Sequence, residues 1–152
     1  RFILPGYNLR PLDMSGALGI EQLKKLPSII AGRRKNAKVF QSLFSEISGL
    51  TIQKEIGESS WFGFALIVDA GKSKRDELVS VLSEKGVDCR PIVAGNFVRN
   101  PVVEYFDYEV FGDLTASDKA NDCGLFIGNH HYDINDELTE IAALVRTIVD
   151  SE

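Results

Sequence analysis

The sequence predicts an α+β domain: a short, mainly antiparallel sheet packed against helices and preceded by long helices. Three observations carry that expectation. The run from Trp61 to Ala70, WFGFALIVDA, is almost continuously apolar, as a central strand covered on both faces should be. It follows an alternating segment, Leu50 to Glu55, across the turn-like Gly57-Glu58-Ser59-Ser60, which makes the two segments antiparallel neighbours. Helix-period stripes flank this pair, so the order reads strand, strand, helix, strand.

The chain of 152 residues is one domain's worth, and 44% apolar content with nine phenylalanines is enough for a sizeable core. A net charge of −5 excludes a general binder of nucleic acid or anionic membrane. No apolar run approaches a membrane span, and the first residues lack the order of a signal peptide. Cys89 and Cys123 are the only two cysteines and lie far apart, which suits reduced thiols in a cytoplasmic protein. The chain opens on Arg1 and runs straight into Phe-Ile-Leu-Pro-Gly-Tyr-Asn, which suggests a piece of something longer.

Taken in order, Pro5-Gly6 is a turn, and Asn8 and Arg10 stand just before a helix expected from about Pro11 to Leu26. Met14, Ala17, Leu18, Ile20, Leu23 and Leu26 stripe it, while Gly16 and Gly19 each cost about 1 kcal/mol relative to Ala, so close packing should offset them. Asn8 and Arg10 beside a helix N-terminus suit an anion such as a phosphate, and equally suit capping and turn formation. Pro27-Ser28 is expected to end that helix and open a second to about Ser48, with Ile29, Ile30, Ala37, Phe40, Leu43, Phe44 and Ile47 inward and Gly49 as its cap. The opposite face carries Arg33, Arg34, Lys35 and Lys38, read as a solvated face or a subunit contact in a chain this acidic.

Beyond the strand pair, Ser73 to Asp76 resembles a capping box opening a helix to about Lys85, stopped by Gly86. Val87 to Val93 reads as a short strand that Pro91 confines to an edge. It leads into Ala94-Gly95-Asn96 and Asn100-Pro101, so Arg90, Asn96, Arg99 and Asn100 share an irregular loop. Its guanidiniums and amides can hold a polyhydroxylated or phosphorylated ligand by forked hydrogen bonds; pairing with surface carboxylates fits the same composition. The aromatic cluster Tyr105, Phe106, Tyr108 and Phe111 suits a binding wall or a loop anchor. Thr115 opens a short helix to about Cys123, with Asp118 completing a capping box. Leu125-Phe-Ile then delivers Gly128-Asn129-His130-His131 to a turn, and an amphipathic helix from about Asn135 to Val149 closes the chain.

His130 and His131 are the only histidines. Adjacent imidazoles chelate poorly and no Cys or His partners are spaced around them, so no metal site is expected. A turn after an apolar strand can instead offer an imidazole to a ligand hydroxyl, or hold it in a structural hydrogen bond. No glycine-rich phosphate loop, nucleophile-elbow serine or internal repeat occurs. The chain supplies binding groups and no self-sufficient catalytic set.

In order, PGYNLRPLDMSGALGIEQLKKLP, RPIVAGNFVRNP and GLFIGNHHYDI resemble the C-terminal portion of the DegT/DnrJ/StrS sugar aminotransferase and dehydratase family, fold-type I enzymes dependent on pyridoxal phosphate. The second stretch looks most like the nucleotide-sugar 3-dehydratase branch. The resemblance implies inter-domain helices over 1–48, a small C-terminal domain over 49–152 and a large cofactor-binding domain upstream. It implies that Asn8 and Arg10 contact the pyridoxal or pyridoxamine phosphate across a homodimer. Arg10, Arg90, Asn96, Arg99, His130 and His131 would then face the nucleotide sugar.

The catalytic base, the acid for the pyridine nitrogen and the stacking aromatic belong upstream in this family, so the fragment alone is expected to be inactive. In the dehydratases a histidine replaces the aminotransferase lysine. Two alternatives are a nucleotide-sugar 4-aminotransferase of the same family and a non-catalytic ligand-binding module.

Overall fold

The structure is a computed structural model, and it describes residues 1, 3–6 and 12–150. Helix α1 spans Asp13–Phe44, β1 Leu50–Ile52, β2 Gly63–Val68, α2 Lys72–Glu84 and β3 Cys89–Arg90. After 3-10 turns at Phe97–Arg99 and Pro101–Tyr105 come α3 Thr115–Cys123, β4 Gly124–Gly128 and α4 Asn135–Val149. The four strands lie in the order β1-β2-β4-β3, all antiparallel, with Leu50 opposite Val68, Phe64 opposite Ile127 and Cys89 opposite Ile127 on the far side. Placing β3 at the edge leaves Pro91, just beyond it, no ladder bond to break.

Period-two alternation decides what is inside. Phe64, Leu66 and Val68 of β2 and Leu125 and Ile127 of β4 point to one face and are almost fully buried. That face receives Leu78 and Leu82 of α2, Leu138 and Val145 of α4, and Ala37, Phe40 and Phe44 of α1. Phe40 stacks on Phe44 and Phe64 at 4.6 and 4.2 Å, and Trp61 tilts against it at 6.2 Å. The other face is only partly covered, against the expectation of a strand sealed on both sides: Gly63 lies beneath Phe126, while Ala65 and Ile67 are half-buried.

Expectations about helix ends fail at four residues. Pro27 does not divide α1, which runs as one helix of 32 residues. A proline inside a helix removes one bond and costs about 3 kcal/mol. The residues after it are anchored by Ala37, Phe40 and Phe44, whose burial offsets that cost. Ser73 and Thr115 are not caps: α2 begins at Lys72, and Asp113 accepts from the Thr115 N–H instead. Gly86 does stop α2, at φ +82 with Val87 N–H donating to the Leu82 carbonyl, the bonding of a Schellman turn. Gly49, expected as a cap, turns the chain into β1 at φ +73, well after α1 has ended.

The first half of α1 departs most from its expected packing. Met14, Leu18 and Leu23 are 64 to 76% exposed, and nothing approaches Gly16 or Gly19 within 4 Å. Its second half belongs to the same core as the sheet. Among the described residues no helix is long and apolar enough to cross a membrane, and no three metal-ligating side chains cluster.

Candidate functional site

A cleft of about 770 Å³ opens where β3 ends beside the turn that follows β4. Arg90 and Phe126 face each other across the strand pair, so alternation sends both to the half-covered face. There Phe126 stacks on Phe62 at 5.8 Å, and the Arg33 guanidinium lies 5.7 Å from the Phe62 ring centre. From the opposite wall come His130 and Tyr132, whose rings stack at 4.6 Å. Asp88 and Glu137 add carboxylates to the rim. Arg90 is held by Asp88 through Nε at 3.2 Å and Nη2 at 3.0 Å, a pair in water that contributes little stability but aims the guanidinium. The cleft thus offers two arginines, an imidazole and flat aromatic walls, a set suited to an anionic ligand with planar and hydroxylated parts.

The expected site residues divide into groups. Arg90 and His130 line this cleft. Asn96 and Arg99 do not; they tie the loop to α3. Asn96 is buried, accepts from the Val98 N–H at 3.2 Å and donates to Asp118 at 2.9 Å. Arg99 Nη1 reaches both oxygens of Asp122 at 2.9 Å and Asp118 at 3.4 Å. Gly95, at φ +57, lets this loop lie against Asn121, where a side chain would collide. His131 turns its ring edge to Tyr132 at 5.5 Å and presses its carbonyl against Gly32 of α1. Asn8 and Arg10 lie outside the described residues.

The loop lock has a pH signature. The hydrogen bond from Arg99, then that from Asn121, holds the Asp122 carboxyl below its usual range. A carboxyl depressed in the folded state contributes stability that is present above its ordinary value near 4 and is lost as pH falls through the lower folded value. The Asp122 side-chain carbon should therefore titrate below ordinary aspartates by NMR, and Arg99→Ala should raise its midpoint. An unmoved midpoint would show that Arg99 does not hold Asp122.

Sequence reasoning missed Asn36 and Asn129, which build the wall that carries His130. Asn36 is fully buried on α1, and its amide nitrogen donates to Asn129 Oδ1 at 3.2 Å and to the carbonyls of His130 at 2.9 Å and Tyr132 at 2.8 Å. Asn129 in turn donates to the carbonyls of Trp61 at 2.9 Å and Arg33 at 3.1 Å. The signal was available: Asn36 falls four residues before Phe40 and eight before Phe44, on the face that goes inside. The basic run is also more than a solvated face. Arg33 reaches Phe62, Arg34 Nε donates to the Ser59 carbonyl at 2.9 Å and Lys35 pairs with Asp133 at 2.7 Å, holding that carboxyl below its usual range.

Cys89 and Cys123 are both free thiols. Burial, then Asp88, pushes the Cys89 thiol up, so it is a poor nucleophile.

Comparison with known proteins places these features in a family. The chain is 51% identical over 148 residues to GDP-4-keto-6-deoxy-D-mannose 3-dehydratase of Yersinia pseudotuberculosis, covering 96% of this chain and 38% of that protein. The structure of the E. coli GDP-4-keto-6-deoxy-D-mannose-3-dehydratase with bound hydrated PLP superposes with a TM-score of 0.84 at 49% identity, covering 95% of this chain and 38% of that one. A mutant of GDP-4-keto-6-deoxymannose-3-dehydratase with bound GDP-perosamine gives the same TM-score at 48% identity and the same coverage of both chains. The chain therefore spans under two fifths of the length of these relatives. Residues 2–146 match the sequence profile of the DegT/DnrJ/EryC1/StrS aminotransferase family, and the chain belongs to that family.

Proposed function

We propose that this chain is the C-terminal domain of a pyridoxal phosphate-dependent nucleotide-sugar 3-dehydratase that makes deoxysugars for lipopolysaccharide or another surface glycan. The observation that carries the reading is 51% identity over 96% of the chain to a relative of that activity, far above its 29% identity to the GDP-perosamine synthase of Vibrio cholerae. The aminotransferase alternative has less support.

In this reading a pyridoxal-type cofactor supplies an electron sink for proton removal and loss of the sugar's 3-hydroxyl. The cofactor would be held mainly by a larger upstream domain, with Asn8 and Arg10 reaching it from the partner subunit of a homodimer. Arg90 and His130 bind and orient the nucleotide sugar at the cleft. Asn96 and Arg99 act on the same ligand by fixing the loop, and His131 by fixing the turn. The exposed stripe of Met14, Leu18 and Leu23 supports burial of α1's first half against other parts of such an assembly. The protein works in the cytoplasm, where nucleotide sugars are made.

The test is the mass of the full-length protein after incubation with pyridoxal phosphate and borohydride. Reduction fixes a lysine imine and leaves a histidine site unmodified. No covalent increment, with absorbance showing bound cofactor, is the expected result. A cofactor-sized increment would favour the aminotransferase, and no bound cofactor would favour a binding module.

A further inference from the structure

We propose that Asn36 and Gly32 of α1 are positioning residues for the ligand cleft: together they fix the turn at residues 129–132, so that the stacked His130 and Tyr132 rings face Arg33 and Arg90. The part that concerns ligand binding rests on the reading of this cleft as the nucleotide-sugar side. The geometry of the turn does not.

Two independent features of one helix converge on this turn. Asn36 delivers a single amide nitrogen to three acceptors, two of them backbone carbonyls on either side of His131. One turn earlier, Gly32 has no side chain where the His131 carbonyl presses in, and a Cβ there would overlap that oxygen. Amide above and glycine below leave the turn one seating against α1. The rings of His130 and Tyr132 project from the carbonyl-bonded residues, so their direction follows from it.

The surroundings leave this amide one orientation. Asn36 Oδ1 is buried with no protein partner, and three acceptors share the two hydrogens of its nitrogen. Rotating the amide by half a turn would set its oxygen against three other oxygens, so the surroundings dictate the orientation.

Gly32→Ala leaves the Asn36 side chain intact and adds a Cβ against the His131 carbonyl oxygen, so it displaces the turn at that backbone contact, and the Trp61 indole signal reports whether the core survives the change. In the 152-residue chain, whose hydrophobic core is built from its own residues, the two histidines can be followed by NMR at constant pH. The ring protons of His130, 4.6 Å over Tyr132, should shift in Gly32→Ala and in Asn36→Ala, while the Trp61 indole signal of Gly32→Ala stays in place. In the full-length protein Gly32→Ala should raise KM for the nucleotide sugar roughly tenfold or more, with kcat changed far less. Unmoved histidine signals in Gly32→Ala would overturn the positioning. Moved signals with an unchanged KM would support the positioning and sink the nucleotide-sugar reading of this cleft.

Discussion

Phe40→Ala will lower the stability of the chain by about 4 kcal/mol, the range for a phenylalanine lost from a well-packed core. Phe40 has no exposed surface and stacks between Phe44 and Phe64, with Trp61 against its edge. Its stacking on Phe64 also joins the long helix to the central strand. These aromatic neighbours are rigid, so the cavity closes little and its cost adds to the lost transfer energy. Domains of this size are stable by roughly 5 to 15 kcal/mol, so the loss is a large fraction of the total. Leu18→Ala in the same helix, at a position 66% exposed, is the control and should change stability by no more than about 0.5 kcal/mol. Urea unfolding of both variants decides it. A loss at Phe40 no greater than that at Leu18 would mean that α1 does not share the core of the sheet.

The contrast between these two leucine and phenylalanine positions shows where the sequence is legible. Both lie in apolar stripes of helical spacing, and periodicity alone treats them alike. For Phe40 the partner surface lies within the chain, and the expected burial is found. For Met14, Leu18 and Leu23 no described residue supplies it, and the stripe stands exposed. Amphipathicity says which face wants cover and cannot say what supplies it. Strands β2 and β4 and helices α2 and α4 were readable because apolar period and turn residues agree there, whereas α3 buries no residue and has no such period to read. The break at Pro27 was misread because a local rule about proline was overridden by anchoring further along the helix.

The site was readable in part for a similar reason. The chemistry of Arg90 and His130 is visible in their side chains, and both meet at the cleft. Asn96 and Arg99 carry the same chemistry, but the acids that engage them, Asp118 and Asp122, stand 22 and 23 residues away. Only the topology brings α3 beneath the loop. Arg33 was read as one of four similar cations, and which of them turns inward over Phe62 depends on a strand end 29 residues later.

Asn36→Leu will cost about 3 kcal/mol, although leucine is apolar, nearly the same size and a good helix former at a buried site. The loss comes from what Asn36 leaves behind. Asn129 Oδ1 and the carbonyls of His130 and Tyr132 all lose their donor. A buried acceptor stripped of its partner costs about 1 to 3 kcal/mol, and relaxation of the turn toward water recovers some of the total. The partner variant Asn129→Leu strips the Trp61 carbonyl, removes a second bond from the Arg33 carbonyl and takes an acceptor from Asn36, and should also be destabilising. The double variant discriminates between mechanisms. If the two amides act as one network, losing both should cost clearly less than the sum, by about 1 kcal/mol or more, because each single variant already breaks the bond they share. Strict additivity in chemical denaturation would mean that each asparagine serves its own carbonyls independently. The His130 turn would then be held at two separate points.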